Sequence, residues 1–465
     1  LPQKPQTNLQ PGQKEEITPQ LKADPVEENI NGVDVEKDFN LTEEAEKEGY
    51  TEQDLLIPQE EVEKYREEIK RGEVIPLDKK GGNSDNQGQV NNSANGENVS
   101  QQAQLPQVEV VKEFATALPQ GVIKELRYTN YPISYDYVLI TKPDVNIRKE
   151  PNTRAEVIST GELYEKINLL QQVKGESVNG SDVWYRIFWK NDDQVQHGFV
   201  FGGGAEPRSF QFDKMLKAIN DLKAEVDNNQ TAFVFNYKNR NGMPPQYQGK
   251  DVDPNGNVRS QSAPGYVSTD PNSDFRYFPD GMLVTVLGED ENFYRVKSLS
   301  FPGEYWIPKA YISFWNSIQN LTQVIVVDRK NQNQATFENV NGSWKMISYT
   351  FCTTGLPGEY SLETPLGAYM AIEKKDRFFY TAEGSDQIAG YAPYAIRFSA
   401  GGYIHGVPVA YEKKDGEEVD PGLIEYLYTI GTTPRSHKCV RNFTSHALFL
   451  YNWAQIGNCA VVVIE

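Results

Sequence analysis

The chain is short of several residue types. Among 465 residues there are three cysteines, four histidines and five methionines. Three cysteines cannot build a disulfide framework, and an odd count leaves at least one free thiol. No run of 18 apolar residues occurs, so the chain as given carries no helical membrane span. Positive charge is scarce as well: 46 Lys and Arg stand against 65 Asp and Glu, a net −19. That balance excludes a nucleic-acid partner, which needs a basic face to displace counterions. Hydrophobic residues reach 38%, low for one compact globule. The deficit is concentrated before about Gln107, where Glu, Gln, Asn, Lys and Pro dominate. The chain opens on Leu1 rather than Met, which fits a removed secretion signal as well as a cloning boundary.

The composition divides the chain. Residues 1–110 read as a disordered tether arm with no apolar periodicity. Within it, 59–71 places Glu and Lys/Arg at i,i+4 ahead of Gly72, which predicts a solitary helix. An arm of that length reaches on the order of 60 Å. Beyond it, short β runs with frequent turn signals predict a mainly β chain. Residues 205–230 hold a linker helix, whose Met215, Leu216, Ile219, Leu222 and Val226 share a stripe.

The chemistry concentrates near the C-terminus. After Ile430-Gly431-Thr432-Thr433-Pro434-Arg435 comes Ser436-His437-Lys438-Cys439-Val440-Arg441-Asn442, and His405-Gly406 lies upstream. A thiol reacts only when a base or a positive field makes it a thiolate, and histidine is the usual device. Pairing Cys439 with His405 therefore predicts acyl transfer through a cysteine nucleophile of lowered pKa. Backbone N–H groups of Lys438 and Cys439 would face the developing oxyanion. Cys352 and Cys459 fall in apolar strands and read as core thiols, His446 as packing and His197 as structural.

Two resemblances sharpen this reading. The order "N-I-R", "P-N", "W-Y-R-I", "H-G-F-V" over 136–204 resembles a bacterial Src-homology-3-like barrel, and 262–315 repeats it more weakly. Such barrels imply wall targeting without a part in the chemistry, so a piece from about residue 318 onward would retain it. Over 322–465, the ordered set "T-T-G", "T-P-L-G", "A-I-R-F", "I-H-G", "S-H-K-C-V-R" and a terminal "V-V-V-I" strand resembles a YkuD-type L,D-transpeptidase catalytic domain. That resemblance implies a C-terminal β-sandwich-like fold, no metal and no cofactor. It also implies an exported protein of the cell envelope, in periplasm or cell wall. Its partners would be peptidoglycan stem peptides and the sacculus, and its inhibitors carbapenems. It implies Cys439 as nucleophile and His405 as base, with Gly406, Ser436, His437, Lys438 and Arg441 in support.

Two departures stand out. Lys438 occupies a site where the family has Gly. The His405–Cys439 separation is also long, with an acidic insertion at 407–428 that contains Lys413-Lys414-Asp415-Gly416-Glu417-Glu418. They keep open an L,D-carboxypeptidase and a non-catalytic peptidoglycan-binding protein. A papain-like endopeptidase would place Cys before His. A sortase would place its Arg on the strand after the Cys.

Overall fold

The computed structural model describes residues 56–57, 107–191, 194–357, 362–381, 388–414 and 417–465. Of the expected arm, all but 56–57 and 107–110 lies outside the described residues, including the helix expected at 59–71. Leu56–Ile57 pairs antiparallel with Leu423–Ile424, so this piece of the arm lies along the 407–428 insertion.

Alternating apolar residues build an eight-stranded antiparallel sheet over 109–209. Ile147, Ile167, Leu169, Ile187 and Val200 form one small core there, and Val173, Trp184 and Phe199 form another. The sheet is wider than the sequence suggested. Glu109–Glu113 pairs with Lys166–Val178, and Ala205–Ser209 pairs with Asp136–Ile140. The helix follows as Phe212–Asn228, with Phe212, Met215, Ile219, Leu222 and Val226 buried. Each such side chain contributes roughly 1.5–3 kcal/mol at most. It shares its core with Val324, Val326 and Val462 of the C-terminal unit. A seven-stranded sheet then runs from Gln230–Val234 to Ile312–Ser313. Gln230–Val234 comes well before residue 262, joining Leu283–Glu289 and Ile312–Ser313.

The C-terminal unit is a sandwich of two sheets. The first has six strands, with Gln323–Asp328 between Asn333–Val340 and the parallel Cys459–Ile464. Its hairpin turns at Asn341 and Gly342, at φ 53° and 85°, the two left-handed positions that an Asn-Gly type I′ turn requires. The second sheet has five strands, centred on Ile388–Ser399. The helix Thr444–Trp453 and the strand Cys459–Ile464 close the chain. Cys352 and Cys459 are fully buried and free, as expected of core thiols.

Upstream chain completes this sandwich. Val122–Lys124 adds a parallel strand to the edge of Ser343–Phe351. Tyr128 then packs on His446 and Phe449, and Tyr131 stacks on Phe443 with ring centroids 3.9 Å apart. The Tyr131 hydroxyl donates to Glu425 in the insertion, whose carboxylate also accepts from the amide and hydroxyl of Ser445. Burial pushes Glu425 up to about 7.

Candidate active site

Two neighbouring strands bring the predicted residues together. Gly402–His405 runs parallel to Val440–Arg441, with Ile404 beside Val440 and His405 beside Arg441. His405, Ser436, His437, Cys439 and Arg441 line one crevice with Tyr380, Ala392 and Pro408. Its cavity is about 10 Å³, room for about one water. Cys439 is 2% exposed. The crevice is narrow, and the sulfur lies almost wholly beneath its surface.

The turn that carries Cys439 is held by backbone-directed hydrogen bonds. The Thr354 carbonyl accepts from the amides of Arg435 (2.9 Å) and Ser436 (3.1 Å). The Ser436 hydroxyl donates to the Cys439 carbonyl, closing the turn on itself. The Thr364 hydroxyl donates to the Lys438 carbonyl at 2.9 Å and accepts from Gly355 N–H at 2.7 Å. Gly355 is obligatory for space: a Cβ there would meet Leu362 O at 2.4 Å and Lys438 N at 2.5 Å. Thr354 is fixed in turn by Gln332, which donates to its hydroxyl and accepts from its amide. The "T-T-G" and "T-P-L-G" fragments thus form a cradle under the turn.

Lys438 sits at φ 70°, the left-handed conformation that a Gly would take freely. A side chain there costs about 1–2 kcal/mol. Its stem runs along Gly402, with Cγ and Cδ 3.4 and 3.5 Å from where a Cβ would stand. The expectation for its amide needs correction. Lys438 N–H donates to the Leu362 carbonyl at 2.7 Å, so it is engaged and does not face an open oxyanion position.

A single hydrogen bond fixes the tautomer of His405. Its Nδ1–H donates to the Gly406 carbonyl at 2.6 Å, because a carbonyl can only accept. The proton is therefore on Nδ1, and the Nε2 lone pair is the basic one. Burial, with Arg441 close by, lowers His405 to about 3 against a weaker opposing pull from the Gly406 carbonyl. The ring stays neutral at any physiological pH. Gly406 itself leaves no room for a side chain, since a Cβ would lie 2.8 Å from the Thr444 hydroxyl.

The thiol differs from its expectation. Burial pushes Cys439 up to about 11, outweighing the Tyr403 amide, Arg441 and Lys438, which pull it down. The reason is dehydration: a thiolate loses its water in so small a cavity. The S–H donates to the Gly401 carbonyl at 3.6 Å. The crevice accordingly holds a neutral thiol and a neutral imidazole, with the S–H on the Gly401 carbonyl and no preformed thiolate. Arg441 is tied through its backbone, exchanging hydrogen bonds with Thr353 at 2.9 and 2.8 Å. His446 does not reach the crevice; it bonds Asn442, Gln334 and Ser348 inside the sandwich, as a packing residue would.

Sequence reasoning missed Tyr380, Gly401 and Pro408. Tyr380 donates to the Val409 carbonyl and so fixes the start of the insertion at the crevice. No sequence signal marks it, because its role depends on a contact 29 positions along the chain.

A family model for the L,D-transpeptidase catalytic domain, YkuD, matches residues 322–464. A comparison with curated proteins finds no match. Among solved structures, the chain is similar to a fused Zn-dependent amidase/peptidase/peptidoglycan-binding protein of Clostridium acetobutylicum. Identity is 15%, coverage 31% of this chain and 52% of that one, and the TM-score 0.21. The chain thus spans about half of that protein. It is also similar to an L,D-transpeptidase from Mycobacterium smegmatis (15% identity, 39% and 82% covered, TM-score 0.24). A third is L,D-transpeptidase 3 from Mycobacterium tuberculosis, in complex with a faropenem-derived adduct (17%, 39% and 79%, TM-score 0.24). Likeness at this level is partial. The family match begins one residue before the strand Gln323–Asp328 and runs to residue 464; residues 322–464 of this chain are a YkuD-type L,D-transpeptidase catalytic domain.

Proposed function

We propose that this chain is a cysteine-dependent transpeptidase of the exported cell envelope that joins peptidoglycan stem peptides through a thioester on Cys439. The observation that carries the reading is that Cys439 and an Nδ1-protonated His405 line one narrow crevice. As the substrate carbonyl arrives, Nε2 of His405 takes the thiol proton while sulfur attacks the L-centre carbonyl of the third stem residue. The Cys439 amide is the assigned oxyanion donor, the Lys438 amide being engaged. The tetrahedral adduct collapses, and His405 returns the proton to the departing amine of the terminal D-residue. An acceptor amine from a second stem then attacks the thioester, gives its proton to His405, and releases sulfur.

Transfer must outrun hydrolysis, which requires water to be kept from the thioester. The insertion supports that role. Pro408 lines the crevice, and Asp420 anchors the insertion to Arg377 (2.9 Å) and to the Tyr391 hydroxyl (3.0 Å). Carbapenem acylation of Cys439 follows from the same chemistry.

Incubation with disaccharide tetrapeptides, followed by product mass spectrometry, tests the reading. A 3→3-linked dimer is the expected product. Loss of the D-residue alone would make the chain an L,D-carboxypeptidase. No product, with unaltered sacculus binding by Cys439→Ala, would replace the proposal with a binding protein.

A further inference from the structure

Two backbone groups that meet the Cys439 sulfur lie in, or just after, a turn that another part of the chain holds. Ala400 and Gly401 join Ile388–Ser399 to Gly402–His405, with Ser399 opposite Gly402. The Gly401 carbonyl accepts the S–H, and the Tyr403 amide faces the sulfur. Ala400 stands at φ 47°, a conformation that normally selects Gly. Such strain persists only when the surroundings impose it.

Here the imposing group is a carboxylate from the seven-stranded sheet. Asp280 is fully buried; it accepts from Ala400 N–H at 3.1 Å, from Arg397 Nη1 at 2.6 Å and from Asn236 N–H at 2.8 Å. The contact is intimate. A Cβ on neighbouring Gly281 would lie 1.9 Å from the Phe398 carbonyl oxygen. Tyr237 of the same unit holds the far side of the turn, its hydroxyl 3.4 Å from that of Tyr403 and its ring 4.1 Å from the Arg397 guanidinium. An ion pair buried this deeply is costly to assemble, so its placement at a strained turn calls for a reason beyond packing.

We propose that Asp280 is a positioning residue for Cys439: its carboxylate, supplied by the seven-stranded sheet, holds the strained Ala400–Gly401 turn against the sulfur and so aligns the thiol with His405. The catalytic geometry then depends on docking of the upstream unit, and anything that shifts that unit changes the reactivity of the thiol. The inference rests on the proposed role of Cys439 as the reacting thiol. A missing carbapenem adduct in the parent protein would sink that role, whereas the inference fails on the variants below.

The test uses the full chain. Carbapenem acylation is followed by intact mass, and iodoacetamide alkylation of Cys439 by peptide mass. Asp280→Asn slows acylation about tenfold, as expected for a small misplacement, while alkylation does not slow. Adding Ala400→Gly, which takes φ > 0 without help, returns acylation to within about threefold of the parent. Where Asp280→Asn gives no folded protein, Tyr237→Phe is expected to slow acylation in the same direction. Parent-rate acylation in the variant that folds, equal slowing of both reactions, or no rescue by Ala400→Gly overturns the proposal.

Discussion

At the scale of single residues, the proposed chemistry turns on two groups kept neutral by burial. With His405 lowered to about 3 and Cys439 raised to about 11, both proposed groups are uncharged across the whole range between. A depressed imidazole stays unprotonated until pH falls towards its folded pKa, and a raised thiol stays protonated until pH climbs towards its own. Carbapenem acylation by the parent protein should therefore be flat from about pH 5 to pH 9. His405→Ala should cost ~10²–10⁴-fold and make the residual rate climb about tenfold per pH unit, because only free thiolate then reacts. A parent inflection near 6.5 or 8.5 would reveal an exposed imidazole or an ordinary thiol, and activity lost through His446→Ala instead would move the base. The residue types and their order were legible in the sequence, since His405 and Cys439 stand in short motifs. Their pKa values were not. A motif names a thiol and an imidazole, but the volume of water left around them is set by Tyr380, Ala392 and Pro408, which come from other parts of the chain.

At the scale of elements, the catalytic sandwich borrows from chain that precedes it. Val122–Lys124 extends the six-stranded sheet, and Tyr128 and Tyr131 cover the helix Thr444–Trp453. The fragment 318–465 would lose all of these, and its Arg397 would lose the carboxylate of Asp280. Arg397 would keep its ion pair with Glu373 at 2.7 Å, so the loss falls mainly on the apolar cover, about 1.5–3 kcal/mol for each fully buried side chain, against the about 5–15 kcal/mol that holds a domain. The fragment is therefore expected to melt well below residues 107–465 and to acylate more slowly. Equal melting temperatures and equal rates would show the sandwich to be self-sufficient. The main elements were legible from alternation, from Asn341-Gly342 and from the stripe on Phe212–Asn228. The early strands were not. Val122-Ile123-Lys124 is too short to carry a period, and it becomes a strand only because the edge of Ser343–Phe351 offers it hydrogen bonds.

At the scale of the molecule, both upstream sheets grip segments that flank Cys439. From the eight-stranded sheet, Lys166 donates to the carbonyls of Tyr428 (3.1 Å) and Ile430 (2.8 Å), and buried Arg208 donates to that of Gly431 (2.9 Å). Arg435 donates to the Tyr164 hydroxyl at 2.8 Å. These contacts fix the loop that leads into Ser436, while Asp280 fixes the turn on the other side. The upstream units were expected to stand apart from the chemistry, and their side chains instead reach the segments that frame it. No sequence pattern shows this, because each contact joins residues more than 100 positions apart. The central claim is that Cys439 in this assembled site is an acylatable nucleophile. Intact mass spectrometry of the full chain after carbapenem exposure, with peptide mapping of any adduct, tests it most directly. The account predicts a gain of one drug molecule, located on Cys439 and absent from Cys439→Ala; an unmodified parent, or an adduct that survives in Cys439→Ala, would contradict it.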